Sequence, residues 1–396
     1  MKIGILSDFA RTGGAAIAAD RIAGSLQKAG ADLFRVSSDG CSSSLLDEET
    51  LTPGRKHRLL DLLFSGTSWG RRLPSKRAKE LCRQFDKLLA RRKPDLINAH
   101  NLHGVDWPME LIEIALRHCP VCWTLHDCTT FLGSYYPSHS PRPSADSASN
   151  LKSFWRRIAT RPPANSISAI APSKWMKSEA DSSHWGTYET ALIPYPIPSD
   201  FTRSGSPQAN REALGLETDK PVVLTIAGNL DEDRKGGQTL HQMFRDRKFK
   251  GVQFLVAGQS KRAEDLPENV RLLGFVGDQI LLRIAYTAAD FLLHPAPVDN
   301  LPNTVIESLS CGTPVLAFPT GGLPDMVVPD HSGWLSSDIS TGSISEMMVR
   351  ILEDRSYEKL GERAKQTAQK LFNEEKIAKI YQRQFLKATN LVSTKQ

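Results

Sequence analysis

The stretch His294-Pro295-Ala296-Pro297-Val298-Asp299-Asn300-Leu301-Pro302-Asn303-Thr304-Val305-Ile306-Glu307-Ser308-Leu309-Ser310-Cys311-Gly312-Thr313-Pro314-Val315-Leu316-Ala317-Phe318-Pro319-Thr320-Gly321-Gly322 decides the fold. Just before it, Phe291-Leu292-Leu293 is an apolar run that suits a strand buried in a parallel sheet. A polar loop carrying Asp299 follows. Asn303 or Thr304 has the side chain of a helix N-cap, and Gly312 suits the C′ position that ends the helix. Pro314 to Phe318 is a second buried strand, turned by Thr320-Gly321-Gly322. This strand, loop, helix and strand open a helix N-terminus at the carboxyl edge of a sheet, where open α/β sheets bind ligands. The free N–H groups of its first turn suit a diphosphate. Asp299 before the helix and Glu307 one turn inside it flank that seat. A bare anion has little use for two carboxylates, whereas a ligand with hydroxyls on both sides of a diphosphate does. The plainer alternative is a capping Asp and a solvated Glu.

The rest of the chain sets the frame. At 396 residues, and with about 150 residues per domain, two or three domains are expected. Hydrophobic residues make up 40% and charged residues 24%, an ordinary globular balance with ample core. No apolar run reaches the roughly 18 residues that span a bilayer, and Met1 to Asp8 turns polar too soon for a signal peptide. Six cysteines scattered over this length make no disulfide framework, so a reducing cytoplasm is expected. His118, Cys119, Cys122, His126 and Cys128 lie close in sequence, but Val121 to Leu125 reads as a buried strand that sends neighbouring side chains to opposite faces. No second ligand pair stands at zinc spacing, so no metal is expected there.

The net charge of +6 is unevenly placed. Basic side chains crowd the segment from Arg55 to Lys93, opposed only by Asp61, Glu80 and Asp86, with Leu59, Leu63, Phe64 and Trp69 interleaved. This pattern fits a solvated amphipathic face, a peripheral contact with anionic membrane at the inner face, or an anionic acceptor. Nucleic acid is not expected, because no stacking pattern or binding motif accompanies the charge.

The opening stretch resembles the signature of retaining glycosyltransferases of family 4, in which Glu-x7-Glu precedes Ala-x-Gly-x-Pro-Val and a Gly-Gly turn. Here it reads Asp299-x7-Glu307, then Ser310-Cys311-Gly312-Thr313-Pro314-Val315. The first carboxylate is one methylene shorter than usual. The resemblance covers nearly the whole chain and implies a GT-B fold. Two Rossmann-like domains would face across a cleft, residues 1–195 on the acceptor side and 196–374 on the nucleotide-sugar side, with a C-terminal helix at 375–396 crossing back to the first.

In the N-terminal half, strand Lys2 to Leu6 leads through Gly13-Gly14 into a helix of small residues. Side-chain-free Gly13 and Gly14 allow close approach of backbone N–H groups to a phosphate or sugar. Their spacing is not the dinucleotide fingerprint, which argues against a nicotinamide-dependent oxidoreductase. Pro94 to His100 and Val121 to Leu125 are further strands whose polar tips form a ligand-facing rim. The ending Thr124-Leu125-His126-Asp127 matches the family, and the resemblance gives His126 a contact with the donor sugar, partly through its carbonyl. Residues 133–166, poor in apolar groups, read as a mobile acceptor-side loop with a basic helix near 151–157. Ile193-Pro194-Tyr195-Pro196-Ile197-Pro198 stands where the family has its interdomain linker.

In the C-terminal half, strand Pro221 to Gly228 is followed by a loop ending Arg234-Lys235-Gly236-Gly237. The family holds the donor phosphates with an Arg directly after the strand Gly and a Lys before a Gly. Lys235-Gly236 matches the second, while Asn229 stands at the first, with Arg234 as the candidate substitute. Phe275 and Val276 would border the nucleotide base. The resemblance thus implies a hexosyltransferase moving sugar from a nucleotide-diphosphate donor to an acceptor hydroxyl of a glycan or lipid, in polysaccharide or glycolipid synthesis. Lys235 and the helix start at Asn303-Thr304 would stabilise the leaving diphosphate, Asp299 would orient the sugar and Glu307 would hold the ribose. No cofactor or metal is implied. A non-catalytic sugar-nucleotide binder or partner-dependent subunit is the alternative.

Overall fold

The computed structural model describes residues 1–40, 46–52, 73–105, 107–138, 145–160 and 165–393. Seven parallel strands form the first sheet: β1 (Lys2–Leu6), β2 (Asp32–Ser37), β3 (Asp47–Thr50), β4 (Leu96–Ala99), β5 (Val121–Thr124), β6 (Ile167–Ala171) and β7 (Thr190–Leu192), ordered β3-β2-β1-β4-β5-β6-β7. Six more make the second: β8 (Val222–Asn229), β9 (Gln253–Gln259), β10 (Val270–Gly274), β11 (Phe291–His294), β12 (Val315–Ala317) and β13 (Gly333–Leu335), ordered β10-β9-β8-β11-β12-β13. In each sheet the order reverses beside the first strand, between β1 and β4 and between β8 and β11. A parallel sheet leaves a crevice at its carboxyl edge at such a switch point. Two crevices face one another, and the candidate site lies between them.

Apolar strands such as Ile3, Ile5 and Ile97 in one sheet, and Val223, Leu224 and Leu292 in the other, are fully buried because helices cover both faces. The chain crosses between domains at 193–198, where Ile193, Tyr195 and Ile197 are buried, and returns beside that crossing: Ile197 N donates to Phe372 O at 2.9 Å. The last helix, Glu374–Ser393, then packs on the first domain. Lys28 Nζ meets Glu374 at 2.9 Å, Gln382 Nε2 donates to Ala29 O at 3.0 Å and Lys387 Nζ reaches Glu189 at 2.6 Å. The crossing-back helix implied by the family resemblance is therefore present.

One sequence expectation is corrected. Residues 145–160 of the supposed mobile loop form a packed helix, Ala145–Thr160. Leu151, Phe154, Trp155 and Ile158 recur at helical spacing and are buried. Low average apolarity hid one well-formed stripe; Trp155 alone packs its ring on Phe154, Trp185 and Tyr188. The flanking 139–144 and 161–164 lie outside the described residues. So does the part of the basic segment at 53–72, while its remainder is a helix, Leu73–Arg92, that buries Leu81, Phe85, Leu88 and Leu89. Arg92 and Arg91 are paired there with Asp47 and Glu49 of β3.

Candidate functional site

Asp299 sits in the loop between β11 and the helix Asn303–Ser310. Its Oδ2 accepts from Lys235 Nζ at 2.7 Å. His294 Nε2, at the end of β11, lies 3.5 Å from the same oxygen, too far for a strong hydrogen bond but close enough to act electrostatically. Oδ1 accepts from Asn300 N at 3.0 Å and, at 3.5 Å, faces the hydroxyl of Tyr136 from the other domain. Burial alone would raise the Asp299 carboxyl, but the Lys235 charge and His294 outweigh it and hold the group well below the usual carboxylate range. Tyr136 responds in the opposite sense: burial, then the Asp299 charge, pushes its phenol well above the ordinary value.

The backbone around Asp299 is fixed by glycine. Gly321 adopts φ +55, and a Cβ there would lie 1.9 Å from Asp299 O; one on Gly322 would lie 1.7 Å from Asn300 O. The Gly-Gly turn exists because the Asp299–Asn300 peptide lies directly against it. Gly236 follows the same logic, since a Cβ would meet Pro295 O at 2.1 Å. Its close approach seats Lys235 over the β11 loop.

The helix carrying Glu307 begins at Asn303 with Pro302 as N-cap and no side-chain capping bond. This corrects the expectation that Asn303 or Thr304 caps it. The proline side chain has no acceptor; Val305 N and Ile306 N donate to Pro302 O at 3.1 and 3.3 Å, and the N–H groups of the first turn have no side-chain cap. Gly312, at φ +73, terminates the helix as the sequence predicts. Both Glu307 oxygens are engaged: Arg21 Nη2 donates to Oε1 at 2.5 Å and Tyr286 OH donates to Oε2 at 2.8 Å. Arg21 Nη1 also donates to Asn303 Oδ1 at 3.1 Å, and Asn303 Nδ2 donates to Gly14 O at 2.8 Å. The Gly13-Gly14 turn therefore lies against the start of the Glu307 helix. Gly13 takes φ +90, which accounts for the first glycine.

His126 lies at the end of β5 with its ring in a buried row: Nε2 meets His100 Nδ1 at 2.8 Å and Nδ1 meets Tyr195 OH at 2.7 Å. Burial pushes its imidazole down to about 3, so it is neutral at ordinary pH. Its carbonyl, with that of Leu125, accepts from Asn300 Nδ2 at 3.0 Å, and Asn300 Oδ1 accepts from Ser173 Oγ at 2.7 Å. The next residue, Asp127, faces the rim, where its Oδ2 lies 3.4 Å from His103 Nε2.

Of the remaining predicted residues, Arg234 pairs with Glu232 at 2.9 Å and lies over the Tyr135 ring at 5.7 Å. Asn229 turns back on its own loop, accepting from Asp231 N at 3.0 Å. Phe275, 70% exposed, and Val276 follow β10 at the edge of the sheet. Thr304 is half-buried beside Asn303. The structure thus brings Lys235 to Asp299, and joins the Gly13-Gly14 turn to Asn303 and, through Arg21, to Glu307, while Phe275 and Val276 follow the edge strand β10. Arg21, Tyr136, Tyr286, His294 and Asn300 complete the cluster and were not singled out from sequence. The signals were slight: an Asp20-Arg21 pair in a helix of small and apolar residues up to Gln27-Lys28, and polar His294 and Asn300 inside the decisive stretch.

Residues 207–370 match the profile of the family described as Glycosyl transferases group 1. These residues are therefore similar to that family. The chain is 30% identical over 170 residues to a D-inositol 3-phosphate glycosyltransferase of Xylanimonas cellulosilytica, covering 40% of this chain and 40% of that protein. It is 24% identical over 109 residues to an N-acetyl-alpha-D-glucosaminyl L-malate synthase of Bacillus anthracis, covering 27% and 29% respectively. The matches thus span well under two thirds of these relatives' length. The fold is similar to sucrose-phosphate synthase of Thermosynechococcus elongatus, with a TM-score of 0.75, 21% identity and coverage of 98% and 99%. It is also similar to Anabaena Alr3699/HepE in complex with UDP-glucose, with a TM-score of 0.70, 18% identity and 100% coverage of both chains. The chain therefore has the GT-B fold of two Rossmann-like domains. Among the described residues no helix is long and apolar enough to cross a membrane, and no cluster of His, Cys, Asp and Glu could hold a metal ion.

Proposed function

We propose that this protein transfers a hexosyl group from a nucleotide-diphosphate sugar to an acceptor hydroxyl with retention of anomeric configuration. The observation that carries the reading is the Asp299–Lys235 pair set beside an uncapped helix start and Glu307 at the β8/β11 switch point. In the reaction the bond from the anomeric carbon to the phosphate oxygen breaks and a bond to the acceptor oxygen forms on the same face. The acceptor proton passes to the departing phosphate oxygen. Lys235 and the N–H groups of the first helical turn stabilise the charge developing on that oxygen. Asp299, held ionised by Lys235, accepts from sugar hydroxyls, and Glu307 accepts from the ribose. Phe275 and Val276 border the base. His126 acts through its carbonyl and through Asn300, because its ring is occupied. The reaction is assigned no metal. Closure of the cleft over the donor excludes water, which favours transfer over hydrolysis.

The His103 and Asp127 rim faces the acceptor, a glycan or lipid-linked hydroxyl of polysaccharide or glycolipid synthesis. The Leu73–Arg92 helix offers Lys76, Lys79 and Lys87 for peripheral contact with an anionic cytoplasmic membrane surface. A non-catalytic sugar-nucleotide binder is the second reading, favoured by the full pairing of Glu307. A panel of UDP-, GDP- and ADP-sugars tests both. Thermal stabilisation by one donor with slow release of its diphosphate supports transfer, stabilisation without cleavage supports the binder, and no response to any donor removes both.

A further inference from the structure

We propose that Arg21 is a diphosphate-binding cation supplied across the cleft by the N-terminal domain, resting on Glu307 until a nucleotide arrives. This rests on the nucleotide-sugar reading above. A diphosphate seated on the Asn303 helix carries more than one negative charge, more than Lys235, whose charge is shared with Asp299, balances alone. Lys235 is held by Asp299 at 2.7 Å, Arg234 is held by Glu232 at 2.9 Å, and Asn229 is uncharged. Among the described residues, Arg21 is a cation that touches the helix start. It projects from the helix Gly14–Lys28, about two turns beyond the Gly-Gly loop, and its Nη1 lies 3.1 Å from Asn303 Oδ1.

Arg21 is 7% exposed and Glu307 is 4% exposed. A buried ion pair is a poor source of stability, because desolvation cancels much of its attraction. The pair joins a guanidinium to the carboxylate that the nucleotide needs. Ribose hydroxyls donating to Glu307 take the place of the Arg21 N–H groups. The freed guanidinium then exchanges a carboxylate for a phosphate, which suits its planar fork equally well. The Phe201 ring, 5.5 Å from the guanidinium, supports the side chain in its resting position.

The test is titration calorimetry of UDP, GDP and ADP and of the matching nucleosides against the full chain and Arg21→Gln. For whichever diphosphate the unmodified chain binds, Arg21→Gln is expected to weaken it by about tenfold or more and to leave the nucleoside within about twofold. Adding Asn229→Arg to Arg21→Gln restores much of the diphosphate affinity. If Arg21→Gln does not fold, Arg21→Gln with Glu307→Gln removes both buried charges and is compared with Glu307→Gln alone. Equal weakening of nucleoside and diphosphate overturns the proposal in favour of a structural role. Tighter binding of both overturns it in favour of a blocking contact. An unmodified chain that binds no diphosphate overturns the functional reading itself.

Discussion

Replacing Lys235 by methionine removes the cation but keeps most of the stem. The Asp299 side chain is 8% exposed and that of Lys235 is 26% exposed, with 2.7 Å between the charged atoms. Breaking a buried pair by deleting one partner costs roughly 3–5 kcal/mol. Partial solvation of Lys235 and the remaining Asn300 N–H reduce this to about 2–3 kcal/mol. For a domain of this size that is a melting-point loss of roughly 4–12 °C. The sign with pH is defined. The folded-state carboxyl of Asp299 is depressed, so its stabilisation is full above the unfolded value near 3.8 and is lost as pH falls through the lower folded value. In Lys235→Met burial dominates and raises the carboxyl, so the deficit relative to the unmodified protein shrinks as pH falls from 7 towards about 4.5. In an Asp299→Asn background the same lysine substitution is close to neutral, because no buried charge is left unpaired. Paired thermal melts of the single and double variants read all three effects. Equal melting of Lys235→Met and the parent at neutral pH, or an equal deficit with and without Asp299, would refute the coupling.

Three further outcomes follow from the same geometry. Gly321→Ala forces a Cβ to within 1.9 Å of Asp299 O, so it should cost more than about 3 kcal/mol and depress donor binding. Gly13→Ala meets nothing within 4 Å and should cost about 1–3 kcal/mol through its backbone conformation alone; a larger loss for Gly13→Ala than for Gly321→Ala would count against the packing argument. Glu307→Gln should weaken binding of both nucleoside and nucleotide by about tenfold or more, as loss of charged hydrogen bonds to ribose requires, and unchanged nucleoside affinity in calorimetry would remove the ribose assignment.

Residues 294–322 were legible because their constraints are local. Strand apolarity, a helix stop at Gly312 and a Gly-Gly turn act over a few residues, and each survives in the structure. The helix start was misplaced because sequence favours Asn303 as a cap, while Pro302 fixes the entering backbone and leaves the Asn303 side chain to face Gly14 and Arg21. Short strands such as Asp47–Thr50 escaped notice because they lie at sheet edges, where polar residues suffice. Long-range pairing was the least visible. Nothing local to Arg21 says that it meets Glu307, 286 positions away, or that Asn300 ties the β11 loop to the carbonyls of Leu125 and His126. Those contacts follow from two sheets brought edge to edge.

The most direct measurement follows donor cleavage by NMR in the presence of EDTA, with the donor that stabilises the protein and no added acceptor. The account predicts slow release of nucleoside diphosphate, the free sugar appearing first as the anomer present in the donor, and loss of the signal in Lys235→Met. First appearance of the opposite anomer, or cleavage abolished by EDTA and restored by added metal ion, would contradict it.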